Sequence, residues 1–261
     1  MLHSPLHKMR AFMSDSYTAY AAQNPAATRS VRRLRKWNAT AKAPAGTSAA
    51  SGQMMKPASG RRIRFSHFMA LSYILIRVDL FFFIGSLYSY LTVMRVGALA
   101  RAAGVPVRWR PFNLRAIMVE QNNIPRNNPV KMRYIWRDVE RRARRHGLPF
   151  KPGLPYPVDP DGLANRVALV AAQEGWCEEY VTATYGAWFA EHVAPGNPAV
   201  PAAIIARADS EAVRRQFEEE TEAARRLGIF GAPTFVVGGE IFWGDDRLED
   251  ALENARAGKT V

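Results

Sequence analysis

Hydrophobic and polar positions change period several times along this chain. From Ile76 to Phe83 the residues are apolar, β-branched or aromatic except for Arg77 and Asp79, the composition of a buried strand. Gly85 breaks the run. Leu87 to Ala103 then places Leu91, Met94, Ala98 and Leu99 near helical spacing, and Gly104 stops that helix. Val105 to Trp109 alternates as a second strand. Pro111 to Pro129 carries Asn122, Asn123, Asn127 and Asn128 among its prolines and reads as loop. Lys131 to Arg145 is a basic helix with Met132, Ile135, Trp136 and Val139 on its other side, ended by Gly147 and Pro149. A proline-rich connector follows from Lys151 to Asp161, and helices are predicted near 162–175, 177–192 and 198–206. Asp209 or Ser210 caps a further helix that runs to Leu227 and stops at Gly228. The period then shortens: Pro233 to Val237 is a strand, Gly238-Gly239 a hairpin turn, Glu240 to Trp243 the returning strand and Asp246 to Arg256 a last helix.

The order is βαβ, a long helical stretch, then αββα. Taking out the helical stretch leaves the thioredoxin arrangement, an α/β class in which strands from both halves share one sheet. The expected organisation is therefore a discontinuous sheet domain over 76–112 and 208–258, with an inserted all-helical subdomain over 113–207. Residues 1–75 stand apart as an extension.

Charge sharpens that division. The formal net charge is +13 and the isoelectric point near 10.3. Residues 1–75 hold 12 Lys/Arg against the single acid Asp15, whereas the remainder holds 24 Lys/Arg against 22 acids. The body is nearly balanced, so no nucleic-acid partner is expected of it. The extension, rich in Ala, Ser, Gly, Pro and Arg, has the composition of disorder. It reads as an organelle-targeting peptide, a weak tether or a translated leader ahead of Met69. Cys177 is the lone cysteine, which rules out an internal disulfide and fits a reducing, cytoplasmic setting. The most apolar stretch, Phe65 to Phe83, is interrupted by Ser66, His67, Ser72, Arg77 and Asp79, so no membrane association is expected. His67, His146 and His192 show no metal-ligand spacing among themselves, and neither a phosphate-binding loop nor a nucleophile elbow occurs.

Three segments carry candidate chemistry. Ser86-Leu87-Tyr88-Ser89 lies where a strand passes into a helix, so a hydroxyl meets unpaired N–H groups and the positive end of the helix dipole. A redox protein of this layout has cysteines at the two serine positions. Gly231-Ala232-Pro233-Thr234-Phe235 places a proline at the head of a core strand, where it cannot donate to the ladder. A cis bond there turns Ala232 outward, so that its N–H and C=O can pair with an extended peptide. Trp243-Gly244-Asp245-Asp246-Arg247-Leu248 offers two carboxylates at the start of the last helix, as caps or as partners for an ammonium group.

Together these pieces resemble the 2-hydroxychromene-2-carboxylate isomerases and their relatives, the kappa-class glutathione transferases, on a DsbA-like scaffold. The resemblance covers roughly Ile76 to Gly258. It rests on Phe81-Phe82-Phe83-Ile84-Gly85-Ser86-Leu87-Tyr88-Ser89-Tyr90-Leu91, on Asn122, Pro125, Lys131, Tyr134 and Asp138, and on the Gly231–Thr234 and Gly244–Leu248 motifs. Leu87 stands where the family has proline, and Asp245 where relatives have Ser or Gln.

The resemblance implies that glutathione binds with its sulfur at Ser86, contacted also by Asn122, Lys131, Ala232, Pro233, Asp245 and Asp246. Ser86 then lowers the thiol pKa, and the thiolate adds to a conjugated carbon of a small aromatic carboxylate. The double bond becomes single, rotates, and re-forms as glutathione leaves. Tyr88, Trp109 and Trp243 are candidate aromatic walls or packing residues, and Arg141, Arg142, Arg144 and Arg145 a solvated helix face or a binding patch. The implied reaction interconverts 2-hydroxychromene-2-carboxylate and trans-o-hydroxybenzylidenepyruvate types in aromatic catabolism. Related enzymes are often dimers, so a homodimer is also an expectation. A kappa-class-like transferase and a non-catalytic DsbA-like binding protein are the alternatives.

Overall fold

The computed structural model describes residues 76–195 and 200–258; the expected 1–75 extension and the first residues of the helix expected at 198–206 lie outside them. Among the described residues four strands form one sheet in the order β2-β1-β3-β4. β1 (Val78–Phe82) runs parallel to β2 (Val107–Pro111), with Leu80 opposite Trp109. On its other side β1 pairs antiparallel with β3 (Thr234–Val237), Leu80 facing Phe235. β3 continues through the Gly238-Gly239 turn into β4 (Glu240–Trp243). Both glycines have positive φ, 58° and 99°, as the tight turn requires.

The apolar run in β1 is explained by burial on both faces. Val78, Leu80 and Phe82 join the larger core, with α1 (Leu87–Ala103), α8 (Leu248–Ala257) and much of the insert. Phe81 and Phe83 turn to a smaller core with Phe112, Ile117, Ile229 and Val236. α1 follows the sheet so closely that Tyr90, Leu91, Val93 and Val96 are all buried. Gly104 ends it in the left-handed region at φ 69°.

Between β2 and β3 lie α2 (Leu114–Glu120), α3 (Pro129–Arg145), α4 (Leu163–Glu174), α5 (Cys177–Glu191), α6 (Ala202–Ala208) and α7 (Glu211–Arg226). The expected Pro111–Pro129 loop contains a helix, α2. Its signal is short: Asn113 accepts from the Ala116 N–H at 3.2 Å, and Leu114 and Ile117 are buried against the smaller core. The asparagines that read as loop act locally instead. Asn128 caps α3 by accepting from the Lys131 N–H at 3.0 Å, and Asn122 adopts a positive φ of 50°. Ser210, of the two residues considered, caps α7. The final helix starts at Leu248, after a 3₁₀ turn over Asp245–Arg247.

The insert is sewn to the sheet domain at the end of β1. Asn165 of α4 accepts from the Ile84 N–H at 2.7 Å and donates to the Ile84 carbonyl at 3.0 Å, as a neighbouring strand would. Its amide also donates to Asp159 at 2.8 Å. Tyr185 of α5 donates to the Phe83 carbonyl at 2.8 Å, and its hydroxyl also lies 3.2 Å from the Ser86 backbone carbonyl oxygen. Around these polar ties Tyr90 stacks on Phe189 with centroids 3.7 Å apart. Cys177 is buried, and burial pushes its thiol well above the ordinary range.

Candidate functional site

Ser86 is the N-cap of α1. Its oxygen accepts from the Ser89 N–H at 3.2 Å, satisfying one of the unpaired donors of the first turn. Its hydroxyl donates to the Ala232 carbonyl at 2.8 Å. The Ala232–Pro233 peptide is cis, as the sequence led us to expect, so the two motifs meet across 146 residues of chain. No acidic residue occupies the first turn of α1. The positive end of that helix is therefore not neutralised by its own side chains.

This hydroxyl opens into a cleft of about 380 Å³. One wall is α1 and its turn, through Ser86, Leu87 and Tyr88; another is α3, through Lys131, Met132, Tyr134 and Ile135. Phe230, Gly231, Ala232 and Trp243 close a third side. The Trp243 ring lies directly over Gly231, where an added Cβ would come within 2.1 Å of the indole nitrogen. Phe230 packs on the same indole with centroids 4.7 Å apart. The lining carries Arg115, Arg126 and Lys131 and no carboxylate. Lys131 donates to Asn123 at 3.2 Å. Arg115 donates to the carbonyls of Val158, Asp159 and Pro160 at 3.1, 3.2 and 3.0 Å, which fixes the connector that brings Tyr156 and Pro157 to the cleft. Its charge is left without a carboxylate partner among these contacts.

The α1 and α3 walls are joined by a polar contact. Tyr88 donates from its hydroxyl to Asp138 at 3.0 Å, and Asp138 also accepts from Arg141 at 3.3 Å. Burial, and after it the bond to Asp138 and its charge, holds the Tyr88 proton well above the ordinary phenol range.

Of the residues expected at the site, Ser86, Lys131 and Ala232 border the cleft, and Pro233 follows Ala232 at the head of β3. Three others do not border it. Asn122 is exposed in its left-handed turn, and the adjacent Asn123 faces the cleft in its place. Asp245 is 1% exposed and turns inward, where Arg142 grips one of its oxygens at 2.7 and 3.1 Å. Burial raises its pKa to about 6, against the pull of Arg142. Asp246 is exposed and pairs with Arg247 at 3.4 Å. Arg142 is accordingly not part of a solvated face. Trp109 does not reach the cleft either; it packs edge-on against Phe82 at 5.6 Å. Arg115, Met118, Tyr156 and Phe230 were not anticipated, because they come from the unforeseen α2 and from connectors without a periodic signal.

A family model for the DSBA-like thioredoxin domain matches residues 77–255. The chain belongs to this family. Within the DSBA-like family it is similar to proteins named 2-hydroxychromene-2-carboxylate isomerase. The Pseudomonas putida relative is 27% identical over 186 residues, covering 66% of this chain and 90% of its own. That of Pseudomonas sp. strain C18 is 28% identical over 209 residues, covering 73% and 95%. That of Sphingobium xenophagum is 29% identical over 195 residues, covering 68% and 96%. A solved 2-hydroxychromene-2-carboxylate isomerase superposes with a TM-score of 0.59 at 28% identity, over 69% of this chain and 94% of that one. A probable DsbA oxidoreductase from Streptomyces coelicolor, at 17% identity and a TM-score of 0.50, shares the fold. In this DSBA-like chain the turn that opens α1 holds Ser86 and Ser89, neither of which supplies a thiol. Among the described residues no helix is long and apolar enough to cross a membrane. No group of three or more His, Cys, Asp or Glu among them could hold a metal.

Proposed function

We propose that this protein is a glutathione-dependent isomerase of 2-hydroxychromene-2-carboxylate-type compounds, working in the cytoplasm, where the thiol is kept reduced. The observation that carries the reading is the Ser86 hydroxyl at the start of α1, facing Ala232 in a cleft that has cations and no carboxylate. Glutathione is anionic and so is the substrate, and both suit such a lining.

The chemistry follows from what Ser86 can exchange. Its proton is directed at the Ala232 carbonyl. A cysteinyl N–H laid along Ala232 takes over that carbonyl, as an added strand does, and frees the hydroxyl for the sulfur. A hydroxyl donor and the helix N-terminus favour the thiolate, lowering a pKa of about 8.5 toward neutrality. Serine does this without offering a sulfur for disulfide formation. The thiolate adds to the conjugated carbon, the former double bond rotates, and elimination returns the thiol unchanged. Lys131 and Arg126, both exposed at the cleft, pair with carboxylates of substrate or glutathione. Tyr88 and Trp243 lie beside the planar ring.

The test is incubation of the protein with glutathione and 2-hydroxychromene-2-carboxylate. Conversion to the open-chain ketoacid with full recovery of free thiol is the expected result. A stable thioether adduct identifies a transferase instead, and no reaction together with no glutathione binding leaves a non-catalytic protein.

A further inference from the structure

Tyr88 is where the cleft meets an ionisable group the proposed chemistry has not used. Ser86 is the N-cap of α1, so Tyr88 is the second helical residue, and both border the cleft. Across from it, Lys131, Tyr134, Ile135 and Asp138 fall on one stripe of α3. The first three border the cleft, and Asp138 stands one turn further on, behind the Tyr88 hydroxyl. The Asp138 side chain is 20% exposed and its partner Arg141 50% exposed, so the contact leads from the cleft to solvent.

A phenol that donates to a carboxylate has both oxygen lone pairs free, and the carboxylate makes that oxygen a better acceptor. Elevation of its pKa by burial and by Asp138 keeps Tyr88 neutral, so the contact holds a proton. The named substrate class has a matching need. In a 2-hydroxychromene-2-carboxylate, one carbon bears a hydroxyl, a carboxylate and the ring oxygen, and opening the ring requires that hydroxyl to lose its proton.

We infer that Tyr88 is a catalytic residue that relays the proton of the substrate hydroxyl to Asp138 during ring opening. The inference rests on the isomerase reading above. The O–H bond of the substrate breaks and its proton goes to the Tyr88 oxygen, as the Tyr88 proton goes to Asp138. The electron pair left on the substrate oxygen forms the ketone C=O, and the bond from that carbon to the ring oxygen breaks with its pair leaving on the ring oxygen. The resulting phenolate takes back one proton from Asp138 through Tyr88, so no proton is gained or lost overall. Asp138 touches substrate only through Tyr88 and is a positioning residue.

The experiment is single-turnover ring opening of 2-hydroxychromene-2-carboxylate by the full chain at saturating glutathione, in mixtures of H₂O and D₂O. Tyr88→Phe keeps the ring and removes the relay. Its rate is expected to fall by about 10²-fold, a usual contribution of general acid–base catalysis, with glutathione affinity changed less than twofold. The wild type is expected to show a curved dependence on deuterium fraction, from two protons moving together, and Asp138→Asn a linear one. A Tyr88→Phe rate within twofold of wild type, or the same deuterium dependence in wild type and Asp138→Asn, overturns the relay. Both results leave the isomerase reading intact. Absence of isomerisation by the wild type overturns that reading, and the relay with it.

Discussion

A single oxygen carries more of this site than any other atom. Ser86 Oγ caps α1, occupies the Ala232 carbonyl and faces the cleft, so its removal has separable effects. Ser86→Ala is expected to lose about 1 kcal/mol of stability from the missing cap. Turnover is expected to fall by about 10²-fold, the scale of losing one preorganised donor to a developing anion. Ser86→Thr keeps a hydroxyl at the same place and is expected to recover most of the stability. Urea titration and steady-state kinetics on the two variants check this; equal turnover in wild type and Ser86→Ala removes the sulfur-binding role. Ser86 and Ala232–Pro233 were legible because each marks a local boundary, a hydroxyl suited to cap a helix at a strand-to-helix turn and a proline at the head of a core strand. Asp245 was not legible. Its position at a helix start reads equally well outward or inward, and only the packing of Arg142 from a distant helix decides it.

At the level of elements, the two strand pairs and α1 could be read from period and punctuation alone. α2 could not: seven residues with two buried side chains are too few to show a period amid asparagine and proline. With α2 hidden, so were Arg115 and Met118, which line the cleft. The Arg142–Asp245 pair joins α3 to the turn after β4 and carries a pH signature. The Asp245 pKa in the folded protein, about 6, lies above its ordinary value, so the folded state binds its proton more tightly than the unfolded state does. The stability this proton contributes is full at low pH and is lost as pH rises through about 6. Asp245→Asn abolishes the titration. The melting temperature of wild type minus that of Asp245→Asn is therefore expected to be larger at about pH 4 than at about pH 7. A difference independent of pH contradicts this.

Across the whole molecule, the basicity that dominates the composition belongs mostly to residues 1–75, and the charges of residues 76–261 nearly balance. Its local fields are set by placement more than by amount, which is why a cleft without carboxylates can exist on a balanced surface. The sutures at Ile84 and Phe83 carry a further consequence. Asn165 and Tyr185 hang the Ser86 turn from α4 and α5, so the turn cannot loosen while those helices stay put. The helical insertion is thus a keel for the turn. Amide hydrogen exchange at Ile84 is expected to proceed only as slowly as global opening allows, on a par with the most protected amides of α4. Asn165→Leu, which strips two buried bonds from Ile84, is expected to free that amide to exchange by local fluctuation.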